Sequence, residues 1–151
     1  MASEETIAAA DFELRDTVGH LIRVTQQVHF SLWGDGIGED RLTSPQFAVL
    51  HVLAHQQPLD QRTVGDRASL DRSTVTDIVG RLVERGIVER TYDAADARRR
   101  LVRLTARGLM VHRAAAIRAS AINESLLEAI DDGERDSLLR ILNKILDHHN
   151  V

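Results

Sequence analysis

The side chains best suited to chemistry lie on one face of a predicted helix that covers residues 72–85. Near the start of this helix the face carries groups that can reach base edges and phosphates in DNA, on Arg72, Ser73, Thr74 and Thr76. Groove contacts concentrate at this end of a DNA-reading helix. An ordinary solvated polar face would have the same composition, so the neighbouring elements must decide between the two interpretations.

The sequence around this helix predicts how it begins, packs and ends. Asp71 is a suitable N-cap, because its carboxylate can accept hydrogen bonds from the free N–H groups of the first turn. Gly86 can end the helix in a left-handed conformation. An apolar stripe with helical spacing must face a core, and it consists of Val75, Ile78, Val79 and Leu82.

The preceding segment predicts a helix-turn-helix. Residues 60–68 indicate a short helix, and Ser69 and Leu70 form a tight turn that leads into Asp71. In such a unit the second helix enters the major groove. The first residues of the short helix are candidate phosphate contacts, namely Gln61, Arg62 and Thr63.

The following segment predicts a wing. Residues 87–92 and 99–104 have the composition of strands, and the charged residues 93–98 between them are predicted to form a hairpin tip. Two helices followed by a hairpin constitute a winged helix-turn-helix. The predicted fold is therefore mainly α with a small β-hairpin wing.

A motif within this wing resembles a known family. Asp93-x-x-Asp96-x-Arg98, followed by Leu101-Val-Arg-Leu-Thr105-x-x-Gly108, is similar to the wing signature of the MarR family of bacterial regulators. The segment Leu82-Val-Glu-Arg-Gly-Ile-Val-Glu-Arg90 resembles the exit of the recognition helix in the same family. Ala95 departs from the pattern, because many members have a basic residue there.

The resemblance implies a DNA-binding transcriptional regulator rather than an enzyme. Arg98 matches the family's minor-groove arginine, which a narrow groove attracts electrostatically. Asp96 is expected to brace the wing through an ion pair. The sequence also contains no motif that indicates an enzyme: it has no Gly-rich phosphate loop, no nucleophile elbow and no cysteine nucleophile.

Charge and composition limit the function further. The net charge of −4 is unevenly distributed: residues 62–107 hold eleven Arg and seven Asp or Glu, a net +4, which leaves −8 for the remainder. A basic centre on an acidic frame is typical of a DNA reader with a separate scaffold. The absence of cysteine excludes disulfides and thiol-based redox sensing. We find neither a signal peptide nor an apolar run long enough for a membrane, and expect a cytoplasmic protein without membrane contact.

The rest of the chain predicts a homodimer. The length of 151 residues indicates a single domain, 1–151, whose winged helix-turn-helix lobe covers 44–104. Ser44 is the expected N-cap of its first helix. Helices predicted within 11–33 and 105–149 have broad apolar faces that this lobe alone cannot cover, so a second copy is the simplest cover. The resemblance implies the same dimer, which would bind a pseudo-palindromic double-stranded DNA site.

A second group of residues indicates a ligand site in the first helix. Arg23 is a cation among apolar residues, and a buried cation needs an anionic partner. The imidazole rings of His20 and His29 can add hydrogen bonds, and the indole ring of Trp33 adds a stacking surface. The surrounding sequence resembles the branch of the family that responds to protocatechuate and related aromatic acids. This implies that Arg23 binds the carboxylate of such an effector, for example a hydroxybenzoate. The open alternative is a structural ion pair at Arg23 and a core position for His29.

Two other functions remain open at this point. His51 and His55 have an i, i+4 spacing that can ligate zinc, which would make the chain a metal-sensing regulator, although no acid lies between them. A winged helix can also serve protein–protein contact. No cofactor is indicated. The residues alone do not identify the effector, the operator, the target genes, or whether the regulator represses or activates.

Overall fold

In the part of the chain that the structure describes, residues 13–150, a computed structural model shows six α-helices and three strands. In chain order they are α1 (Val18–Trp33), α2 (Ser44–His55), β1 (Leu59–Asp60), α3 (Gln61–Arg67), α4 (Arg72–Glu84), β2 (Val88–Tyr92), β3 (Arg100–Leu104), α5 (Ala106–Leu126) and α6 (Asp132–His148). A 3-10 turn at Leu14–Asp16 precedes α1. The predicted fold class, mainly α with a small wing, is confirmed. None of the helices in this range is long and apolar enough to cross a membrane.

The wing contains one strand more than the sequence predicts. β2 and β3 form the expected antiparallel hairpin, in which Val88 pairs with Leu104 and Tyr92 with Arg100. The two-residue strand β1 pairs with the other edge of β3, so the sheet order is β1-β3-β2. Because β1 runs directly into α3, the sheet connects the wing to the start of the helix-turn-helix.

The core lies between α2, the helix-turn-helix and the sheet. The predicted apolar stripe of α4 is fully or almost fully buried, which confirms that this face points inward. It is part of one buried cluster with residues of the other elements, including Leu50 and Leu53 of α2, Val64 of α3, and Val88 and Val102 of the sheet. The opposite face of α4 is thereby left on the surface.

Helix ends follow from local capping. Asp71 caps α4, as predicted, and Thr105 caps α5. The N-cap of α2 is Thr43 and not Ser44: the Thr43 hydroxyl accepts from Gln46 N, and the Gln46 side chain accepts from Thr43 N. This capping box satisfies two free donors at once, which Ser44 could not do without a Gln or Glu three residues later. Of the helix predicted over 11–33, residues 11 and 12 lie outside the described part and α1 begins at Val18.

A close junction joins the end of α4 to the start of α5. Gly86 has a φ of 65°, the left-handed conformation expected of it. The Thr105 hydroxyl donates to the Gly86 carbonyl at 2.7 Å, and Thr105 N donates to the Ile87 carbonyl at 3.1 Å. A Cβ on Gly108 would stand 2.0 Å from the Ile87 oxygen, so only glycine lets the first turn of α5 approach this carbonyl.

Two compact units divide the chain between Leu32 and Trp33. In the first unit, α1 exposes large apolar side chains, among them Leu21, Ile22, Val28, Phe30 and Leu32. In the second unit, α6 exposes Leu138, Leu139, Ile141, Leu142, Ile145 and Leu146 and has no buried residue. Each helix therefore carries an apolar face that its own unit leaves uncovered.

Candidate nucleic-acid interface

The first turn of α4 is organised by Asp71. Its Oδ1 accepts from Ser73 N at 3.0 Å and Thr74 N at 2.9 Å, which satisfies two of the free donors of the helix. The hydroxyls of Ser73 and Thr74 donate to the same carboxylate. These hydrogen bonds, above all those from Thr74, hold the pKa of Asp71 well below its ordinary value. The predicted DNA-contacting residues Ser73 and Thr74 therefore present hydroxyl oxygens whose hydrogens are already donated.

A side-chain bridge braces α3 against α4 on the exposed side. Gln61 Nε2 donates to Thr76 Oγ1 at 2.7 Å, and Thr76 Oγ1 donates to the carbonyl of Arg72 at 2.7 Å. The structure thus brings together two predicted contact residues from different helices. Arg72 itself is exposed and makes no side-chain hydrogen bond or ion pair within residues 13–150.

The start of α3 is capped in the same way as α4. Asp60 Oδ1 accepts from Thr63 N at 2.9 Å, and its Oδ2 accepts from the Thr63 hydroxyl at 2.8 Å. The predicted phosphate contact Thr63 therefore has a capping role. Arg62 is almost fully exposed and lies 3.8 Å from Asp66, a weak contact that leaves the guanidinium available.

The tip of the wing is an ordered loop closed by its own backbone and two aspartates. Asp93 N donates to the Arg99 carbonyl at 3.0 Å, and Asp93 Oδ1 accepts from Ala95 N at 2.9 Å. Asp96 Oδ1 accepts from Arg98 N at 3.0 Å. The expected ion pair at Asp96 is not found among the ion pairs of the described residues. Asp96 braces the wing through this backbone hydrogen bond instead, while the guanidinium of Arg99 pairs with Asp60 and Asp93.

Arg99 was not identified from the sequence, and it fastens the wing to the helix-turn-helix. Its Nη2 donates to Asp60 Oδ2 at 2.9 Å, and its Nη1 lies 3.6 Å from Asp93 Oδ2. The pKa of Asp60 falls to about 2, first through the hydrogen bond from Thr63 N and then through Arg99. Asp60 thus joins the first turn of α3 and the wing in one contact. Neighbouring Arg98 makes no side-chain bond in the described range and remains available at the tip.

The residues predicted to bind an effector have different environments. In the first unit, Arg23 Nη2 donates to His20 Nδ1 at 3.2 Å, and no acid pairs with Arg23 among the described residues. The half-buried ring of His29 lies 5.9 Å from that of Phe30. In the second unit, Trp33 is buried, and its Nε1 donates to the Leu42 carbonyl at 2.8 Å. The indole N–H of Trp33 is therefore already used within the protein.

The histidines of α2 contact a third histidine. His51 Nδ1 lies 3.1 Å from His112 Nε2 of α5, and the ring of His112 stacks on Phe47 at 5.8 Å. His55 Nδ1 lies 2.9 Å from the His51 carbonyl. Burial, followed by the neighbouring imidazoles, lowers the pKa values of His51 and His112. Within residues 13–150, no group of three His, Cys, Asp or Glu side chains is arranged to hold a metal ion.

Known proteins resemble this chain in sequence and in fold. A model described as the MarR family matches residues 42–100. The transcriptional repressor NicR of Pseudomonas putida is 31% identical over 136 residues, which cover 90% of this chain and 86% of NicR. The crystal structure of the PcaV transcriptional regulator from Streptomyces coelicolor, in complex with its natural ligand, superposes with a TM-score of 0.82 at 40% identity, over 90% of this chain and 96% of PcaV.

A second solved structure is relevant to regulation. BpsR of Bordetella bronchiseptica, whose DNA binding is regulated by 6-hydroxynicotinic acid, is 30% identical to this chain. The alignment covers 85% of this chain and 97% of BpsR, with a TM-score of 0.78. All three alignments cover at least 85% of this chain, so they extend beyond the wing lobe alone.

Proposed function

The chain belongs to the MarR family of DNA-binding transcriptional regulators, and from this premise we propose that it is a dimeric repressor released from its operator by a small aromatic carboxylate. Separate features of the described residues support the DNA contacts, the dimer and the effector site.

The DNA contacts are assigned to α4 and the tip of the wing. The observation that carries this part is the pair of adjacent arginines, of which Arg99 is bound to Asp60 and Asp93 while Arg98 is available at the tip of an ordered loop. An arginine presented in this way suits a minor groove, where the negative potential is strongest. Arg72, Thr76 and Gln61 would then face the adjacent major groove, with Ser73 and Thr74 beside them and Arg62 and Thr63 near the phosphates.

The dimer is assigned to α1, α5 and α6. An apolar face on an amphipathic helix needs a cover, and α6 has six large apolar side chains that are each more than a third exposed. A second copy of the chain would supply the cover, and its symmetry would place two reading helices for the two halves of a pseudo-palindromic site. The dimerisation segments then correspond to 11–33 and 105–149, and the reading lobe to 44–104.

The effector is assigned to the first helix. Arg23 has a histidine but no acid as its partner in the described residues, so a carboxylate can take that place with charge-assisted hydrogen bonds. His20 and His29 could bind a ring hydroxyl. BpsR responds to an aromatic acid, 6-hydroxynicotinic acid, which supports the same chemical class for this chain. Release of DNA requires that the acid binds the DNA-free state more tightly than the DNA-bound state.

A DNA-binding titration tests the central part of the proposal. The purified protein selects a duplex from a random pool, and fluorescence anisotropy then gives the affinity of wild type, Arg98→Ala and Arg90→Ala across a range of salt. Arg90→Ala is the matched control, because it removes the same charge from an exposed position on β2 of the same hairpin. Loss of a groove contact at Arg98 should weaken specific binding by about 1–3 kcal/mol. Equal affinity of Arg98→Ala and wild type would contradict the assignment of the wing.

A further inference from the structure

One carboxylate in the loop between α1 and α2 binds two arginines from elsewhere in the fold. Asp40 Oδ1 accepts from Arg107 Nη2 at 2.5 Å and lies 3.3 Å from Arg85 Nη2. Arg85 Nη2 also donates to the backbone carbonyl of Asp40, and Arg107 Nη1 donates to the backbone carbonyl of Arg85. The Asp40 side chain is only 18% exposed, whereas most acids in ion pairs of this chain are more open to solvent. The three residues form a closed set of contacts, here called the Asp40 clamp.

The Asp40 clamp joins three elements. Arg85 is the C-cap of α4, so its carbonyl is one of the acceptors that a helix end leaves free. Arg107 belongs to the first turn of α5. By donating to the Arg85 carbonyl while holding Asp40, Arg107 fixes the end of α4 to the start of α5. Arg85 adds a positive charge at a helix C-terminus, where the helix dipole favours it.

The loop that carries Asp40 is itself held in one conformation. Ile37 and Leu42 exchange two backbone hydrogen bonds of 2.9 Å, and Trp33 Nε1 donates to the Leu42 carbonyl. Gly36 has a φ of +113°, and a Cβ there would lie 2.4 Å from the Arg41 oxygen. The position of Asp40 is thus set by backbone contacts on both sides of it. An acid held in this way can position a partner, whereas a freely moving surface acid cannot.

We infer that Asp40 is a positioning residue that sets the direction of the reading helix α4 relative to α5. The inference rests on the proposed function, in which α4 reads DNA and α5 belongs to the dimer. In that arrangement the angle between α4 and α5 determines the separation of the two reading helices. Asp40 would then affect operator selection without touching DNA. It would act through the two guanidinium groups that it binds, those of Arg85 and Arg107.

The test compares Asp40→Ala with Asp35→Ala. Asp35 is the matched control, because it lies in the same loop and pairs with Arg41 at 3.1 Å, but its side chain is 91% exposed. For each variant three quantities are measured: the midpoint of thermal unfolding, the affinities for the selected operator and for an unrelated duplex, and the half-site spacing preferred in a random pool. Asp40→Asn is included because it keeps an acceptor oxygen for Arg107 without the charge.

Asp40→Ala should lose operator affinity by about tenfold, the scale of one charge-assisted hydrogen bond, and keep its affinity for the unrelated duplex. Its preferred half-site spacing should broaden. Asp40→Asn should lie between Asp40→Ala and wild type, and Asp35→Ala should match wild type. A merely structural role would lower the thermal midpoint and leave both the ratio of the two affinities and the spacing preference unchanged.

Unchanged selectivity in folded Asp40→Ala overturns the inference while the proposed function stands. If Asp40→Ala does not fold, Arg107→Gln serves as the second variant, because it removes the same contact from the exposed side and has the same expected effects. Wild-type protein that selects no sequence at all would instead refute the proposed function. The two failures are therefore distinguishable.

Discussion

The contact between Asp60 and Arg99 allows the effect of a substitution on the free energy of unfolding to be estimated. The pKa of Asp60 falls from the ordinary 3.8 to about 2, and at about 1.36 kcal/mol per pKa unit this corresponds to at most about 2.5 kcal/mol of stability. The largest cause is the hydrogen bond from Thr63 N, which an asparagine at this position could still accept. Solvent reaches 24% of the Asp60 side chain and 56% of that of Arg99, so screening reduces the remaining part. We expect Asp60→Asn to cost about 1 kcal/mol near neutral pH.

The sign of the pH dependence follows from the lowered pKa. A carboxyl group with a lower pKa in the folded state stabilises the fold above its unfolded pKa, and this contribution is lost as the pH falls through the folded value. The difference between wild type and Asp60→Asn should therefore be complete above about pH 4 and vanish towards about pH 2.

Urea unfolding at fixed protein concentration, repeated from about pH 6 downwards, measures this difference. Asp66→Asn is the control, because Asp66 pairs with Arg62 in the same helix, and both side chains are largely exposed. It should change stability by less than about 0.5 kcal/mol at every pH. A difference for Asp60→Asn that stays constant as the pH is lowered would refute the reasoning, since a contribution of charge must disappear when the wild-type carboxyl is protonated.

Three further predictions concern the junction, the effector and the dimer. Gly108→Ala should destabilise the fold by about 3 kcal/mol, because the new methyl group overlaps the Ile87 carbonyl; a smaller loss than about 1 kcal/mol in urea unfolding would contradict this. Arg23→Ala should keep operator affinity, but its release from operator DNA should need at least about tenfold more protocatechuate, hydroxybenzoate or 6-hydroxynicotinic acid than wild type. Arg15→Ala is the control, and release of Arg23→Ala at the wild-type concentration would make Arg23 structural. Leu142→Glu should weaken the dimer by at least about tenfold in light scattering, and an unchanged dimer would exclude this face of α6 from the interface.

The sequence predicted the elements whose causes are local. The stripe of α4 and the left-handed Gly86 depend on residues within one or two turns, and both are confirmed. The N-cap of α2 was assigned to the wrong residue although its cause is also local: Gln46, three residues after Thr43, completes a capping box that Ser44 lacks. Strand β1 was missed because two residues are too few to show any periodicity; the pairing with β3 makes it a strand.

In the candidate interface, the sequence also fails to distinguish the roles of three consecutive arginines. Arg98, Arg99 and Arg100 are adjacent and chemically identical, so composition cannot separate a side chain that is free for DNA from one that holds the wing. The family resemblance singles out Arg98, but only the structure shows why Arg99 differs, since its partner Asp60 lies 39 residues earlier. His112 was missed for a similar reason, because its contact with His51 spans 61 residues.

Three aspartates in the reading lobe and its entry loop show how predictability depends on sequence distance. All three use a carboxylate to collect nearby donors. The partners of Asp71 lie two and three residues away, and its role as an N-cap was predicted. Asp60 has one partner three residues away and another 39 away, and only a helix start was predicted there. The partners of Asp40 lie 45 and 67 residues away, and nothing in the sequence marks it. The two contacts that were hidden in the sequence connect separate elements: Asp60 joins the wing to α3, and Asp40 joins α4 to α5. A regulator of this kind must transmit a change from one part of the fold to another, and contacts between distant elements, such as those of Asp60 and Asp40, are the ones that local sequence patterns do not reveal.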